Sequence, residues 1–325
     1  MRKLLLNTSA IATVAVLTAN VAVADVSISA ETEWTYMSRS SNVTANDGTS
    51  FGTDSEITFS FTNKTDNGLD IGYVVELESD DTDTAINESS LSIAGGFGKV
   101  VLGGNDAAAD DYAISADDIV SADEAPTSSS ATIALTTDIE LGDGDNNKIA
   151  YHLPAMGGFT AGVSFTDSGA VGSTDTTTFG MNYVIEAAGN TVTIGAATAT
   201  TEATTTDTDS QILGVKVDSG NLSLIASQTS YEAVDEDIST TGVGVSYKLP
   251  NGVVLAAYTL KSEDDLDAGE EYSKSGVEVQ YAIASGLTAY FNVEDYDYKI
   301  GTNNDSADTV ADAGTVSKLT IAASF

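Results

Sequence analysis

The chain has 325 residues, a formal net charge of −37, no cysteine and a single histidine. The missing thiols exclude a disulfide framework, a Cys-ligated zinc and a cysteine nucleophile. So acidic a chain has no basic footprint for nucleic-acid phosphates, and no nucleic-acid partner is expected.

The first element is a leader. Met1-Arg2-Lys3 precede an apolar run from Leu4 to about Leu17, and Ala22-Val23-Ala24 supply an A-x-A site. A charged start, an apolar middle and small residues at the cut read as a cleaved secretory signal peptide over residues 1–24. The run is interrupted by Asn7, Thr8, Ser9 and Thr13 and is shorter than the roughly 20 apolar residues of a spanning helix. Loss of Arg2 and Lys3 takes the formal charge from −37 to about −39.

From there on the pattern is period-two alternation, the mark of a strand with two unlike faces. Leu69, Ile71, Tyr73, Val75 and Leu77 share one face, with Asp70, Gly72, Val74, Glu76 and Glu78 on the other. Phe179, Met181, Tyr183 and Ile185 alternate with Thr178, Gly180 and Asn182, and Val277, Val279, Tyr281 and Ile283 with Gly276, Glu278, Gln280 and Ala282. Sixteen such segments are expected: 26–37, 55–63, 69–78, 87–95, 98–104, 147–153, 158–166, 176–185, 191–199, 210–217, 221–230, 239–248, 253–261, 272–282, 286–296 and 315–325.

The links between them alternate in length. Tight turns such as 64–68, 154–157, 218–220 and 249–252 carry Gly, Asn, Asp and Pro. The links 38–54, 79–86, 105–146, 167–175, 200–209, 231–238, 262–271 and 297–314 are longer and polar. Pro126, Pro154 and Pro250 all fall in links, as ladder hydrogen bonding requires.

An even number of uninterrupted amphipathic strands, short links on one side and long ones on the other, and aromatic residues such as Trp34, Tyr36, Phe61 and Tyr73 on the apolar face indicate a transmembrane barrel rather than a soluble sandwich. In lipid such strands must close on one another, and sixteen leave an aqueous lumen. The expected fold is therefore all-β: a transmembrane, sixteen-stranded, antiparallel up-and-down barrel formed by residues 25–325 as one domain. The last strand places Leu319, Ile321, Ala323 and Phe325 on one face, and Phe325 is a candidate C-terminal assembly signal.

Three pieces then carry a family resemblance: Leu91–Gly104 with its Gly95-Gly96-Phe97-Gly98-Lys99 hairpin, the turn within Thr62–Gly72, and the terminal Phe325. In this order and spacing they resemble the general diffusion porins of Gram-negative outer membranes, most closely the alphaproteobacterial type. The resemblance implies a homotrimer in outer-membrane lipid and lipopolysaccharide, and a third external loop, here within 105–146, that folds back into the pore. It also implies a basic cluster on the wall facing that loop.

The sequence departs from that last feature. Residues 105–146 hold no Lys or Arg, and Asp110, Asp111, Asp117, Asp118, Asp123 and Glu124 are the candidate constriction carboxylates. The wall positions Glu31, Glu33, Glu56, Asp70 and Glu76 are acidic too, while Arg39, Lys64, Lys99, Lys216 and Lys318 (with Lys148) are scattered candidate lumen bases. A net negative pore concentrates cations, so a channel for small hydrophilic solutes and cations is expected. A calcium ion at Asp80, Asp81 and Asp83, or near Glu263, Asp264, Asp265 and Asp267, is a further expectation, since calcium takes several oxygen ligands; no other cofactor is required. No G-x-S-x-G or P-loop accompanies His152, and no enzyme is expected. The competing readings are a substrate-selective channel of the same fold, with Tyr112 and Tyr290 as its hints, and a soluble calcium-dependent surface β-protein.

Overall fold

The structure is a computed structural model that describes residues 25–78, 86, 88–121, 141–142, 144, 146–167, 174–203, 207–234, 236–301 and 311–325. The leader expected over residues 1–24 lies outside the described residues.

Sixteen antiparallel strands close into one barrel, each paired with its neighbours in the chain and the last paired with the first. They are β1 (Asp25–Ser41), β2 (Gly48–Lys64), β3 (Asp70–Glu78), β4 (Glu88–Gly95), β5 (Gly98–Gly104), β6 (Asn147–His152), β7 (Phe159–Asp167) and β8 (Asp175–Ala187). There follow β9 (Asn190–Glu202), β10 (Thr208–Ser219), β11 (Leu222–Glu232), β12 (Asp237–Lys248), β13 (Val254–Asp264), β14 (Glu271–Ala284), β15 (Leu287–Lys299) and β16 (Asp312–Ser324). The expected number and order of strands match. Their ends do not: β1 and β2 run on until only 42–47 separate them, where a link of 38–54 is expected. Apart from Phe51 the added residues are Ser, Thr, Arg, Asp and Gly, among which alternation gives no signal.

The period of two sorts side chains between lipid and lumen. Outward positions carry Ile28, Trp34, Ile57, Phe165, Phe179, Met181, Leu213, Val243, Val277 and Phe291, all well exposed. Trp34 stacks on Phe51 with centroids 5.5 Å apart, and Tyr36 lies 5.3 Å from Phe51, near the end with long links. Phe61 and Tyr73, 6.1 Å apart, lie near the end with short turns. These are the two aromatic girdles of a membrane barrel. An exterior this apolar excludes the soluble reading, because contiguous exposed hydrophobic surface of this extent needs lipid to cover it.

Buried apolar residues gather in two places inside the barrel: on the inward faces of β12, β14, β15 and β16, where Ile238, Tyr272, Tyr296, Tyr298 and Val316 cluster, and between the wall and the segment 105–121. Ile114, Ala116 and Val120 pack on Ile225, Ala256, Tyr258 and Leu260, while Ala109 packs on Ala197, Ile212 and Leu141.

The seam that closes the barrel runs from Glu31 opposite Ser324 to Ser41 opposite Gly314. At its tip Phe325 N–H donates to the Ala30 carbonyl (2.8 Å) and Ala30 N–H to the Phe325 carbonyl (3.3 Å). Deleting Phe325 opens both bonds, at about 0.5–1.5 kcal/mol each. A lowered urea midpoint, followed through the fluorescence of Trp34 on β1 (the one tryptophan), is the expected result.

Candidate functional site: the inner strap and the acidic wall

After β5 the chain turns into the lumen and crosses the inner faces of β6 to β14 as a strap. Its root is gripped by Lys148, which is buried and donates to the carbonyls of Asn105 and Gly144. Wall hydroxyls then satisfy the strap's backbone. Ala108 N–H donates to Ser164 Oγ (3.1 Å), Ala109 N–H to Thr178 Oγ1 (3.2 Å) and Ala116 N–H to Ser227 Oγ (3.0 Å). Beyond a short 3-10 turn over Ala116–Ile119, Ser121 N–H donates to both carboxylate oxygens of Glu278 (3.0 and 2.9 Å). A segment without regular structure can lie inside a membrane protein only if its polar groups are met in this way.

The strap lies close because the wall is bare where it passes. A Cβ added at Gly180 would stand 2.7 Å from the Tyr112 ring, at Gly195 2.6 Å from the Tyr112 carbonyl, at Gly214 2.6 Å from Ile114 Cβ and at Gly242 2.7 Å from Ala116 Cβ. With Gly162 and Gly244 these form a track of side-chain-free positions on the wet faces of β7 to β10 and of β12, with Ser227 in the corresponding place on β11. Asn182 closes the gap beside it: its amide nitrogen, oriented to satisfy both ends, donates to the Tyr112 carbonyl (2.8 Å).

One ion pair fixes the far end. Lys274 Nζ lies 3.5 Å from Asp117 Oδ2, with both side chains at most 1 % exposed. Ser115 Oγ also donates to Asp117, and Ser115 N–H to Asp118 Oδ2 (2.6 Å), which shapes the turn. Lys274 further sits 5.8 Å from the centre of the Tyr258 ring, whose hydroxyl donates to Glu294 (2.9 Å).

One of the expected constriction carboxylates is therefore sealed away from the lumen. Asp117 is a buried anchor rather than a lumen charge, and Asp118 caps the turn. Asp110, Asp111 and Asp118 are exposed along the strap, and Asp111 lies 3.6 Å from His152 Nδ1. Asp123 and Glu124 lie outside the described residues, as do Asp80, Asp81 and Asp83. Among the described residues no group of three side chains is arranged to hold a metal ion. Near the second calcium candidate, Asp264 Oδ1 accepts from the N–H groups of Leu266 (2.8 Å) and Asp237 (3.2 Å).

The lumen bases divide in the same way. Lys148 is committed to the strap. Lys64 pairs with Asp70 (3.0 Å) beside the short turn of β2 and β3, and Lys216 faces Asp218 (3.6 Å). Lys99 stands opposite His152. Lys318 is buried on β16 and Arg39 is half-buried on β1, opposite Val316. The most important cation, Lys274, is absent from the sequence-based set; its place on the wet face of β14 opposite Leu260 and Tyr296 is the only local sign. Tyr112 packs over Gly162 and Gly180 with its hydroxyl on His152 (3.1 Å), and Tyr290 is 1 % exposed. Neither offers a solute an aromatic face. Burial, and then Asp111, push the Tyr112 phenol above its ordinary range.

On the opposite inner wall the carboxylates gather. Glu31, Glu56 and Glu78 share one row across β1, β2 and β3. Glu33 faces Asp54, and Glu76 faces Glu88 on β4. The lumen thus has one half occupied by the strap and one half lined by acid.

These features meet their counterpart in known proteins. A family model described as Gram-negative porin matches residues 10–301. The chain belongs to the Gram-negative porins. No curated protein sequence matches it. Among solved structures the anion-selective porin from Comamonas acidovorans is 16 % identical with a TM-score of 0.62, covering 93 % of this chain and 100 % of that one. The in-vitro folded OmpT of Vibrio cholerae, in its trimer form, is 14 % identical with a TM-score of 0.67, covering 93 % and 99 %. A mutant of the Rh. blastica porin is 14 % identical with a TM-score of 0.63, covering 92 % and 100 %. At these identities the likeness is one of fold. The protein is an outer-membrane channel for passive diffusion and not an enzyme.

Two substitutions test the strap. Gly214→Val places a side chain into Ile114, an overpacking of about 1–3 kcal/mol, and single-channel conductance should rise as the strap lifts. Lys274→Met strands a buried Asp117, at about 3–5 kcal/mol, and should also widen the pore. Adding Asp117→Leu to Lys274→Met should return conductance toward wild type, because an apolar pair of similar volume needs no partner charge.

Proposed function

We propose that this porin prefers cations, and the register of Glu31, Glu56 and Glu78 on adjacent strands carries that reading. Like carboxylates in one row repel and attract mobile counter-ions, and the low-dielectric wall of a narrow pore focuses their field. Lys274 is committed to Asp117 and Lys148 to backbone carbonyls, and on the inward faces of β1 to β3 the carboxylates Glu31, Glu33, Asp54, Glu56, Asp70, Glu76 and Glu78 outnumber the bases Arg39 and Lys64. The acid lies where the resemblance calls for a basic cluster. The anion-selective neighbour shares the fold at 16 % identity, too distant for its selectivity to transfer.

The finer features of the resemblance belong to the same reading. The Gly95–Lys99 hairpin and its neighbours support the alphaproteobacterial type, and Arg2-Lys3 with Ala22-Val23-Ala24 support a leader cleaved after Ala24. A homotrimer is supported by the outward face of β1 to β4, where Thr32 Oγ1 and Ser55 Oγ lie 2.8 Å apart and Tyr73 OH and Ser89 Oγ 3.0 Å apart. Hydroxyls at lipid-facing positions are better covered by protein than by acyl chains.

The reversal potential across a planar bilayer in a salt gradient tests the selectivity. Wild type should favour potassium over chloride by roughly tenfold, and Glu31→Gln/Glu56→Gln/Glu78→Gln should bring the ratio toward one. A wild-type preference for chloride refutes the proposal.

A further inference from the structure

A hollow of about 550 Å³ lies in the inner wall at the end with short turns. Strand register explains it. One inward row runs Asp25, Thr62, Gly72 and Ser92 across β1 to β4, and the next runs Lys64, Asp70 and Ala94 across β2 to β4. Both rows line the hollow. Its floor is low because Gly72, Ser92 and Ala94 are small; a Cβ added at Gly72 would stand 2.6 Å from Ser92 Oγ.

The sides of the hollow are charged, and with both signs. Lys64 Nζ lies 3.0 Å from Asp70 Oδ1, with the two side chains 67 % and 62 % exposed, and Asp25 lines the same space. Opposite Ala94, the next inward position of the second row is the exposed Lys99 of β5. Further along the same strands Glu31, Glu56 and Glu78 form a row of acid alone.

That mixture decides what the hollow can hold. A simple anion meets Asp25 and Asp70, and a simple cation meets Lys64. A solute carrying both charges meets a partner for each. An exposed ion pair gains little over the hydration of its members, so the Lys64–Asp70 pair opens to such a solute at small cost. The hydroxyls of Thr62 and Ser92 add donors and acceptors beside it. The volume falls within the roughly 300–1,000 Å³ of small-molecule sites.

We propose that this hollow binds small zwitterions of the α-amino-acid class, with the ammonium on Asp25 and Asp70 and the carboxylate on Lys64. Charge-assisted hydrogen bonds at both ends hold the solute at the short-turn mouth of the channel. Where the leader is cut after Ala24, the α-ammonium of Asp25 adds a second cation for the carboxylate. The proposal goes beyond passive diffusion and is independent of the ion preference argued from Glu31, Glu56 and Glu78.

Saturation-transfer NMR on the full detergent-purified protein tests it, with L-alanine as the probe. Wild type should bind L-alanine saturably, and Lys64→Gln/Asp70→Asn should raise the half-saturating concentration about tenfold, or roughly 1.4 kcal/mol. Lactate lacks the ammonium and alaninol lacks the carboxylate, so neither should displace L-alanine at equal concentration. A urea midpoint equal to that of wild type separates loss of the site from loss of the barrel in the double variant. Absence of saturable binding by wild type overturns the proposal, as does equal binding by the double variant or displacement by lactate or alaninol alone. If the double variant does not fold, the comparison of the three solutes on wild type decides by itself.

Discussion

In hydrocarbon a backbone N–H or C=O without a partner costs several kcal/mol, and no water is present to supply one. That constraint fixes the rest of the molecule. Strands must pair on both edges, so the sheet must close, and β1 must find β16 across almost the whole chain. The same rule governs the segment that enters the lumen. It has no ladder of its own, so Ser164, Thr178, Ser227 and Glu278 on the wall take its N–H groups one by one. The barrel and the strap are two solutions to one accounting problem.

Energetically the protein is turned inside out relative to a soluble domain. Its exposed apolar side chains face lipid, and its compact core lies between strap and wall. Ile114, Val120, Leu260 and Ile225 bury apolar surface there, each worth about 1.5–3 kcal/mol. The Lys274–Asp117 pair adds position more than stability, since taking two charges out of water offsets much of their attraction. Its use is to hold the strap in one place.

The sequence disclosed the barrel because every strand states its two faces locally: Phe179 and Met181 against Thr178 and Gly180 need no distant partner to be read. Strand ends were illegible between Ser38 and Asp54, where a lone Phe51 among Ser, Thr, Gly and Asp sets no alternation. The strap's docking was illegible for another reason. Lys274 and Asp117 meet across 157 residues of chain, and nothing near either one names the other. Asp117 and Asp118 look alike in sequence; one is sealed in the core and the other closes a turn. The glycines did leave a signal. Gly180, Gly195 and Gly214 recur at wet-face positions of the consecutive strands β8, β9 and β10, and Gly242 and Gly244 on β12, where a polar side chain costs nothing and a glycine weakens the strand. Such a run is explained by another backbone passing close.

The glycine track also separates two jobs that one pore must do. Contact between the strap and the wall is made largely through main-chain atoms and small side chains, so the arc from β7 to β12 is committed to geometry and tolerates little change. The opposite arc, β1 to β3, supplies none of the glycines or hydroxyls described above as holding the strap, and its acidic row is set by strand register. A lineage carrying this barrel is free to retune which ions it admits by altering a few residues on one side, while the other side keeps the aperture constant.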